Sequence, residues 1–315
     1  VRTSLTTSAL GAPLRLGSLI GVIVVLAAAC GGGGDGGSAQ ADSITVASFD
    51  FSESETLGEL YAQALEANGF TVERAIGAGP RELVEPALEQ GAADLAPEYV
   101  GSALQFVTRG TTASTADTAE AHGMLTEAYA GRGLKPLAPA PAEDKNTFVV
   151  TRATAERLGV AKLSDLQPVA GELVFGGPPE CPQRPLCLQG LKSTYDLTFK
   201  EVRALDPGGP KTVEALQTGD IDVGLLFTTS PALTAGDMVE LEDDKHLQPA
   251  ENVVPVVRTE VLDRHGPRLA AVLDAVSARL DTETLTQMNK RVEVDKQPSE
   301  VVVKEWLSGQ PDLRG

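Results

Sequence analysis

Aromatic residues are scarce in this 315-residue chain, at 4 %, with one Trp, four Tyr and eight Phe, so each ring with a defined place carries information. Positive charge is scarce too: 26 Lys and Arg stand against 44 Asp and Glu, a formal net charge of −18. Nucleic-acid binding needs a basic patch, and adhesion of a protein surface to anionic lipid needs basic clusters, so this balance disfavours both. Only three His and three Cys are present, and HExxH, GxSxG, a GxGxxG following a strand and GxxxxGK are all missing. The motif-borne zinc, nucleophilic-serine, dinucleotide and nucleotide-phosphate chemistries therefore have no support. No carboxylate spacing singles out an acid–base pair, and Glu242-Asp243-Asp244 reads as a solvated turn. The expectation is no enzyme, no metal and no cofactor. No apolar run reaches the length of a spanning helix.

What is present begins with an export pattern. Arg2 and Arg15 precede an apolar run from Leu19 to Ala29, which ends in Leu26-Ala-Ala-Ala-Cys30 and then GGGGDGGSAQ. Small residues before a Cys and a Gly/Ser tether after it resemble a bacterial lipoprotein processing site. Residues 1–29 read as a signal peptide, Cys30 as the lipidated anchor and residues 30–42 as its tether; cleavage that releases a free secreted protein is the alternative. The part beyond residue 29 carries 24 basic residues against 44 acidic ones. With 42 % apolar residues it has the means to build a core, and its length suits two lobes.

One sentence of sequence occurs twice. Ala87 to Ser102 reads ALEQGAADLAPEYVGS, and Ala215 to Ser230, 128 residues later, reads ALQTGDIDVGLLFTTS. Gly91 pairs with Gly219, Asp94 with Asp222, Tyr99 with Phe227 and Ser102 with Ser230. Each copy predicts a helix, a left-handed glycine stop and a short buried strand. Ligands of open α/β sheets bind outside the carboxyl ends of strands. Tyr99 and Phe227 are therefore placed on opposite walls of one crevice; the alternative is a common turn used twice, with both rings in cores.

Taken in order, the pattern predicts a strand at 43–48, a helix at 52–67, a strand at 70–75, the first copy, and helices over 100–109 and 115–130. This is a βαβαβ series with a mostly parallel sheet. The stiff stretch Ala138-Pro-Ala-Pro-Ala-Glu-Asp144 reads as a first crossing between lobes. A second α/β series follows to Phe227. The return crossing is placed after Ser230, with strands at 238–241 and 253–257 and three amphipathic helices closing the chain. Lobe I then comprises 43–143 plus 230–315, and lobe II 144–229. Two connections across a cleft are the wiring of a hinge. In an exported protein, Cys181 and Cys187 are expected to form a disulfide; a metal site or a redox dithiol lacks a nearby His or a CxxC.

From about residue 43 to 312 the chain resembles the substrate-binding lipoproteins of osmoprotectant ABC importers, which take up glycine betaine, choline and related quaternary amines. The resemblance is carried by Ser48-Phe-Asp-Phe51-Ser-Glu53, Leu65-Glu-Ala-Asn-Gly69, Asp94-Leu-Ala-Pro-Glu-Tyr99-Val-Gly-Ser102, Asn146-Thr-Phe148, Cys181-Pro-Gln-Arg184, Asp222 to Thr229, Leu241-Glu-Asp-Asp-Lys245 and Val254-Pro-Val-Val-Arg258. It implies a two-lobed periplasmic-binding-protein-like (type II) fold with two hinge crossings and a central cleft. It implies a monomer outside the membrane, held there only by the lipid on Cys30, that serves a permease with a separate ATPase. It implies an aromatic cage holding a quaternary ammonium by cation–π attraction, with Tyr99, Phe227 and Phe148 at cage positions, Arg184 for a ligand carboxylate and Ser102 as a hydroxyl partner. Phe49, Asp50 and Thr229 complete the expected ligand-binding set. Phe49 stands where relatives usually carry a lysine, and Val213 where another cage tyrosine is common. A larger or more aromatic ligand is the alternative these departures open. For Arg184 the alternative is a surface salt bridge, and for Phe49 a packing ring.

Overall fold

A computed structural model describes residues 42–112 and 115–313. The export segment and Cys30 lie outside the described residues. Among the described residues no helix is long and apolar enough to cross a membrane.

Two five-stranded sheets form two lobes of the same plan. The first contains β1 (Ile44–Ala47), β2 (Val72–Ala75), β3 (Leu95–Tyr99), β4 (Leu134–Pro136) and β10 (Val253–Arg258), in the order β2-β1-β3-β10-β4. The second contains β5 (Asn146–Thr151), β6 (Val174–Gly177), β7 (Glu201–Ala204), β8 (Val223–Phe227) and β9 (Met238–Glu240), in the order β7-β6-β8-β5-β9. The repeated sequence is repeated structure. Gly91 (φ 77°, ψ 21°) and Gly219 (φ 77°, ψ 18°) both close their helices in the left-handed region, which glycine enters without a Cβ penalty. Asp94 Oδ2 accepts from the Thr45 backbone N–H at 3.0 Å, and Asp222 Oδ2 accepts from that of Val174 at 3.0 Å. Each aspartate thus ties the start of its strand to the neighbouring one.

The helix α1 (Ser52–Ala67) has the boundaries that the sequence pattern predicts. Its face of Leu57, Leu60, Tyr61, Ala64 and Leu65 is fully buried in the core of lobe I. Glu53 and Glu55 lie in its first turn, where the helix dipole favours negative charge.

One expectation is refined and one is corrected. Each sheet is mostly parallel with a single reversed strand: β10 pairs antiparallel with β3 and β4, and β5 pairs antiparallel with β8 and β9. β5 and β10 each enter their lobe from the other one, so they run against the parallel strands already there. The return crossing also falls later than residue 230. Met238–Glu240 pairs with Val149–Thr151, so the chain stays with the second sheet. It re-enters the first only near Ala250, whose N–H donates to the Thr115 carbonyl, and at Val253, opposite Tyr99. Within 230–250 only the short strand Met238–Glu240 interrupts turn-rich sequence, and three residues carry no period that could assign it to one sheet or the other. Gly101 marks this crossing structurally: a Cβ there would sit 2.3 Å from Pro249 and 2.7 Å from the Ala250 carbonyl oxygen.

Candidate functional site

Pro97 stands in the middle of β3, directly opposite Pro255 of β10. It has no N–H for the β1 side, and the β1–β3 register is limited to Val46↔Leu95. Beyond Ala47 the first chain leaves the sheet and runs as Ser48-Phe49-Asp50-Phe51 into the gap between the lobes. The Phe49 N–H donates to Ser54 Oγ at 2.9 Å, and the Gly77 N–H donates to Ser48 Oγ at 2.9 Å, which fixes this segment against α1 and β2.

The rings meet there. Phe51 lies 6.1 Å from Phe49, 6.3 Å from Tyr99 and 5.3 Å from Phe227, centroid to centroid. Phe227 belongs to the second lobe and the other three to the first, so Phe51 is the ring that joins the two walls. A cavity of about 90 Å³ opens beside them, lined also by Asp50, Ser102, Arg81, Arg184 and the disulfide. That space suits a small organic molecule.

The predicted residues divide as follows. Phe49, Asp50, Tyr99, Ser102, Arg184 and Phe227 come together on this cleft. Phe148 does not. It is 1 % exposed, packs 6.2 Å from Phe175 and belongs to the core of lobe II. The reason is register: β5 is antiparallel to β8, so Asn146 faces Phe227 at the cleft end while Phe148 faces Leu225, about 6.5 Å deeper along the strand. Asn146 lines the cleft in its place. Thr229 lies just behind, buried, with its Oγ1 2.5 Å from Glu53 Oε2 and 2.9 Å from Asp144 Oδ1. Phe51 is the residue that reasoning from the sequence missed. Its signal was the spacing 49, 51: in extended chain both side chains leave on one side, and Phe51 is extended at φ −137°, ψ 153°.

Buried charge surrounds the rings. Arg81, with 9 % of its side chain exposed, donates Nε and Nη2 to Glu98 at 2.9 Å, and its guanidinium carbon stands 4.8 Å over the Phe49 ring. A cation therefore covers Phe49, supplied by the helix Arg81–Gln90. Arg184 donates Nη2 to Glu82 Oε2 at 2.9 Å and so bridges the lobes. Cys181 and Cys187 are joined as a disulfide, which closes the loop that carries Arg184.

The hinge holds carboxyls in low dielectric. Tyr99 donates its hydroxyl to Glu53 Oε1 at 2.7 Å, and burial together with the Glu53 charge pushes the Tyr99 phenol well above its usual range. Burial and the neighbouring Glu53 hold Asp144, at the first crossing, well above the carboxylate range. One Thr229 hydroxyl hydrogen cannot serve both carboxyls, so a protonated Asp144 satisfies this triad. At the second crossing Glu251 accepts from the Ser102 N–H (2.9 Å) and Oγ (2.7 Å), yet burial raises it from 4.5 to about 7.

A raised folded-state value means that Glu251 contributes stability that is complete below about pH 4 and is lost as pH rises through about 7. Urea titrations at pH 5 and pH 8 should therefore show wild type losing on the order of 2–3 kcal/mol more than Glu251→Gln over that interval, at 1.36 kcal/mol per pKa unit. Equal pH slopes in the two proteins would mean that Glu251 is not the group concerned.

Residues 42–309 match the family described as the substrate binding domain of ABC-type glycine betaine transport system. The chain is 31 % identical over 280 residues to the glycine-betaine-binding protein of Pseudomonas aeruginosa, covering 85 % of this chain and 88 % of that one. It is 24 % identical to the ergothioneine transport permease/ergothioneine binding protein of Helicobacter pylori, over 84 % of this chain and 47 % of that protein. Among solved structures, a glycine betaine/carnitine/choline ABC transporter protein superposes with a TM-score of 0.66 at 21 % identity, covering 86 % of this chain and 99 % of that one. The fold is that of type II periplasmic-binding-protein-like structures.

Proposed function

This chain belongs to the family of substrate-binding domains of ABC-type glycine betaine transport systems, and on that premise we propose that it captures a quaternary ammonium compound between its lobes and delivers it to a permease. The observation that carries this reading is the four-ring constellation of Phe49, Phe51, Tyr99 and Phe227, drawn from both lobes around one gap. A quaternary ammonium has no N–H to donate, so ring faces are its natural partners, each worth about 0.5–2 kcal/mol. Closure brings the second-lobe ring against the first-lobe rings and the Arg184–Glu82 bridge across the mouth, and this closed form is what the permease meets. The protein performs no chemistry, acts as a monomer outside the cytoplasm on the lipid of Cys30, and relies on a separate ATPase.

The charge of the cleft favours a cation over a zwitterion. Arg81 and Arg184 each already commit two nitrogens, Nε and Nη2, to a carboxylate. Asp50 and Glu180 line the same cleft and take part in no salt bridge among the described residues. Choline-type ligands therefore fit better than glycine betaine, whose carboxylate would have to share Arg184 with Glu82. The preponderance of phenylalanine over tyrosine favours, as a second reading, a ligand that itself carries a ring, in line with the relative named for ergothioneine.

Calorimetry with choline, glycine betaine, carnitine and ergothioneine decides among these. Choline should bind about tenfold tighter than glycine betaine, or about 1.4 kcal/mol. Arg184→Ala should leave choline within about twofold. A large loss for glycine betaine alone would return Arg184 to the carboxylate-binding role that the family resemblance implies.

A further inference from the structure

Behind the Phe51–Phe227 pair lies a second cavity, of about 160 Å³. It shares Asp50, Phe51, Pro207 and Phe227 with the ring cleft, so the two compartments adjoin across these four residues. Its far wall is different in kind. It is built by the first turn of α1, the Asp206–Gly209 turn and the helix Thr282–Glu293.

Asn289 of that helix is 2 % exposed and lines the cavity. Its Nδ2 donates to Glu53 Oε2 at 2.5 Å and to Thr229 Oγ1 at 3.1 Å. This fixes the amide orientation, because the flipped amide would press its oxygen against the Glu53 carboxylate. Oδ1 is then a buried acceptor with no hydrogen-bond partner among the described residues, and such groups are rare in folded proteins. Glu293 lines the same space and is raised to about 7 by burial, with Glu53 and Asp206 adding to the shift and Ser52 and Lys296 opposing it. Among the described residues no Lys or Arg lines the cavity. The compartment thus offers acceptors and negative charge, and among the described residues two of its buried oxygens, Asn289 Oδ1 and Ser52 Oγ, have no hydrogen-bond partner.

We propose that this compartment receives the N–H-bearing ammonium end of an elongated ligand whose quaternary end sits among the rings, with Asn289 Oδ1 and Glu293 as its acceptors. A quaternary group has no hydrogen to give Asn289. A carboxylate would meet Glu293 and Asp206. A primary ammonium has three donors, enough for Asn289 and Glu293 together. Among the described residues no set of three His, Cys, Asp or Glu side chains is arranged to hold a metal ion, so an organic cation is the class that fits. This inference rests on the reading of the ring cleft given above.

The test is calorimetry on the full-length protein with two matched series. Each compound is a trimethylammonium with an n-alkyl chain of two to six carbons, ending either in a methyl or in a primary ammonium group. At the best chain length the ammonium-ended compound should bind at least tenfold tighter than its methyl-ended match. Glu293→Gln and Asn289→Leu should each remove most of that advantage; the glutamate change is at a partly exposed position, so it reads out even if the asparagine variant folds poorly. An advantage that survives Glu293→Gln, or none at any length, overturns the inference. So does methylammonium alone binding as tightly as the longer compounds, since that would make the site one for a free ion. If neither series binds, the ring-cleft reading fails and takes this one with it; binding of the methyl-ended series without an ammonium advantage sinks only the second compartment.

Discussion

Phe51→Ala is expected to weaken binding of the quaternary ligand by on the order of 30- to 100-fold, more than either Tyr99→Ala or Phe227→Ala, each at about tenfold. The ring supplies its own face, worth up to about 2 kcal/mol when desolvated. It also aligns Phe49, Tyr99 and Phe227, at about 0.5–1.5 kcal/mol per aromatic pair, and every 1.4 kcal/mol is a factor of ten. Phe51 is only partly buried, so the loss of stability should be small. Phe148→Ala should do the reverse. It empties a fully buried site beside Phe175, which costs about 3–5 kcal/mol, and it should leave affinity within about twofold at a temperature where the variant is folded. Calorimetric affinity and urea denaturation, run on both variants, separate these outcomes. A Phe148→Ala protein of normal stability that has lost its ligand would return that residue to the cage and put the cleft elsewhere.

The second large effect concerns the Arg81–Glu98 pair beneath the rings. Both side chains are nearly inaccessible, with 9 % and 1 % exposed. Glu98 also accepts from the Tyr99 N–H at 3.0 Å. Removing one partner of such a pair leaves an uncompensated buried charge and costs about 3–5 kcal/mol. Arg81→Ala and Glu98→Leu should each lose that much in urea unfolding. The double variant Arg81→Met/Glu98→Leu should recover part of it, because two apolar groups of similar volume do not require solvation, while the buried Tyr99 N–H that loses its Glu98 acceptor keeps a residual cost. The double variant should still bind ligand more weakly, since the guanidinium that covers Phe49 is gone. Additive losses in the double variant would mean that the two residues act independently.

The sequence by itself determined the two-lobe plan. Glycine stops, short apolar strands and the repeated ALxxG…D…(Tyr/Phe) pattern are local signals, and the boundaries of α1 follow from its apolar stripe and the Asn68-Gly69 stop that ends it. It also placed Tyr99 and Phe227 at equivalent strand ends, because those positions follow from the α/β order; that both rings line one cleft is decided by how the lobes meet. What only tertiary structure decided depends on register and on crossings. Phe148 left the cleft because β5 runs antiparallel to β8, a pairing with no local signal in either strand. The stretch 230–250 stayed with lobe II because Met238–Glu240 found an edge there, and a three-residue strand has too little pattern to declare its sheet. Phe51 became the centre of the ring cluster, and Asn289 was left, among the described residues, with an oxygen that has no hydrogen-bond partner, through contacts between residues up to 236 positions apart. Such contacts arise only once the chain has crossed between lobes twice, and no short-range periodicity encodes them.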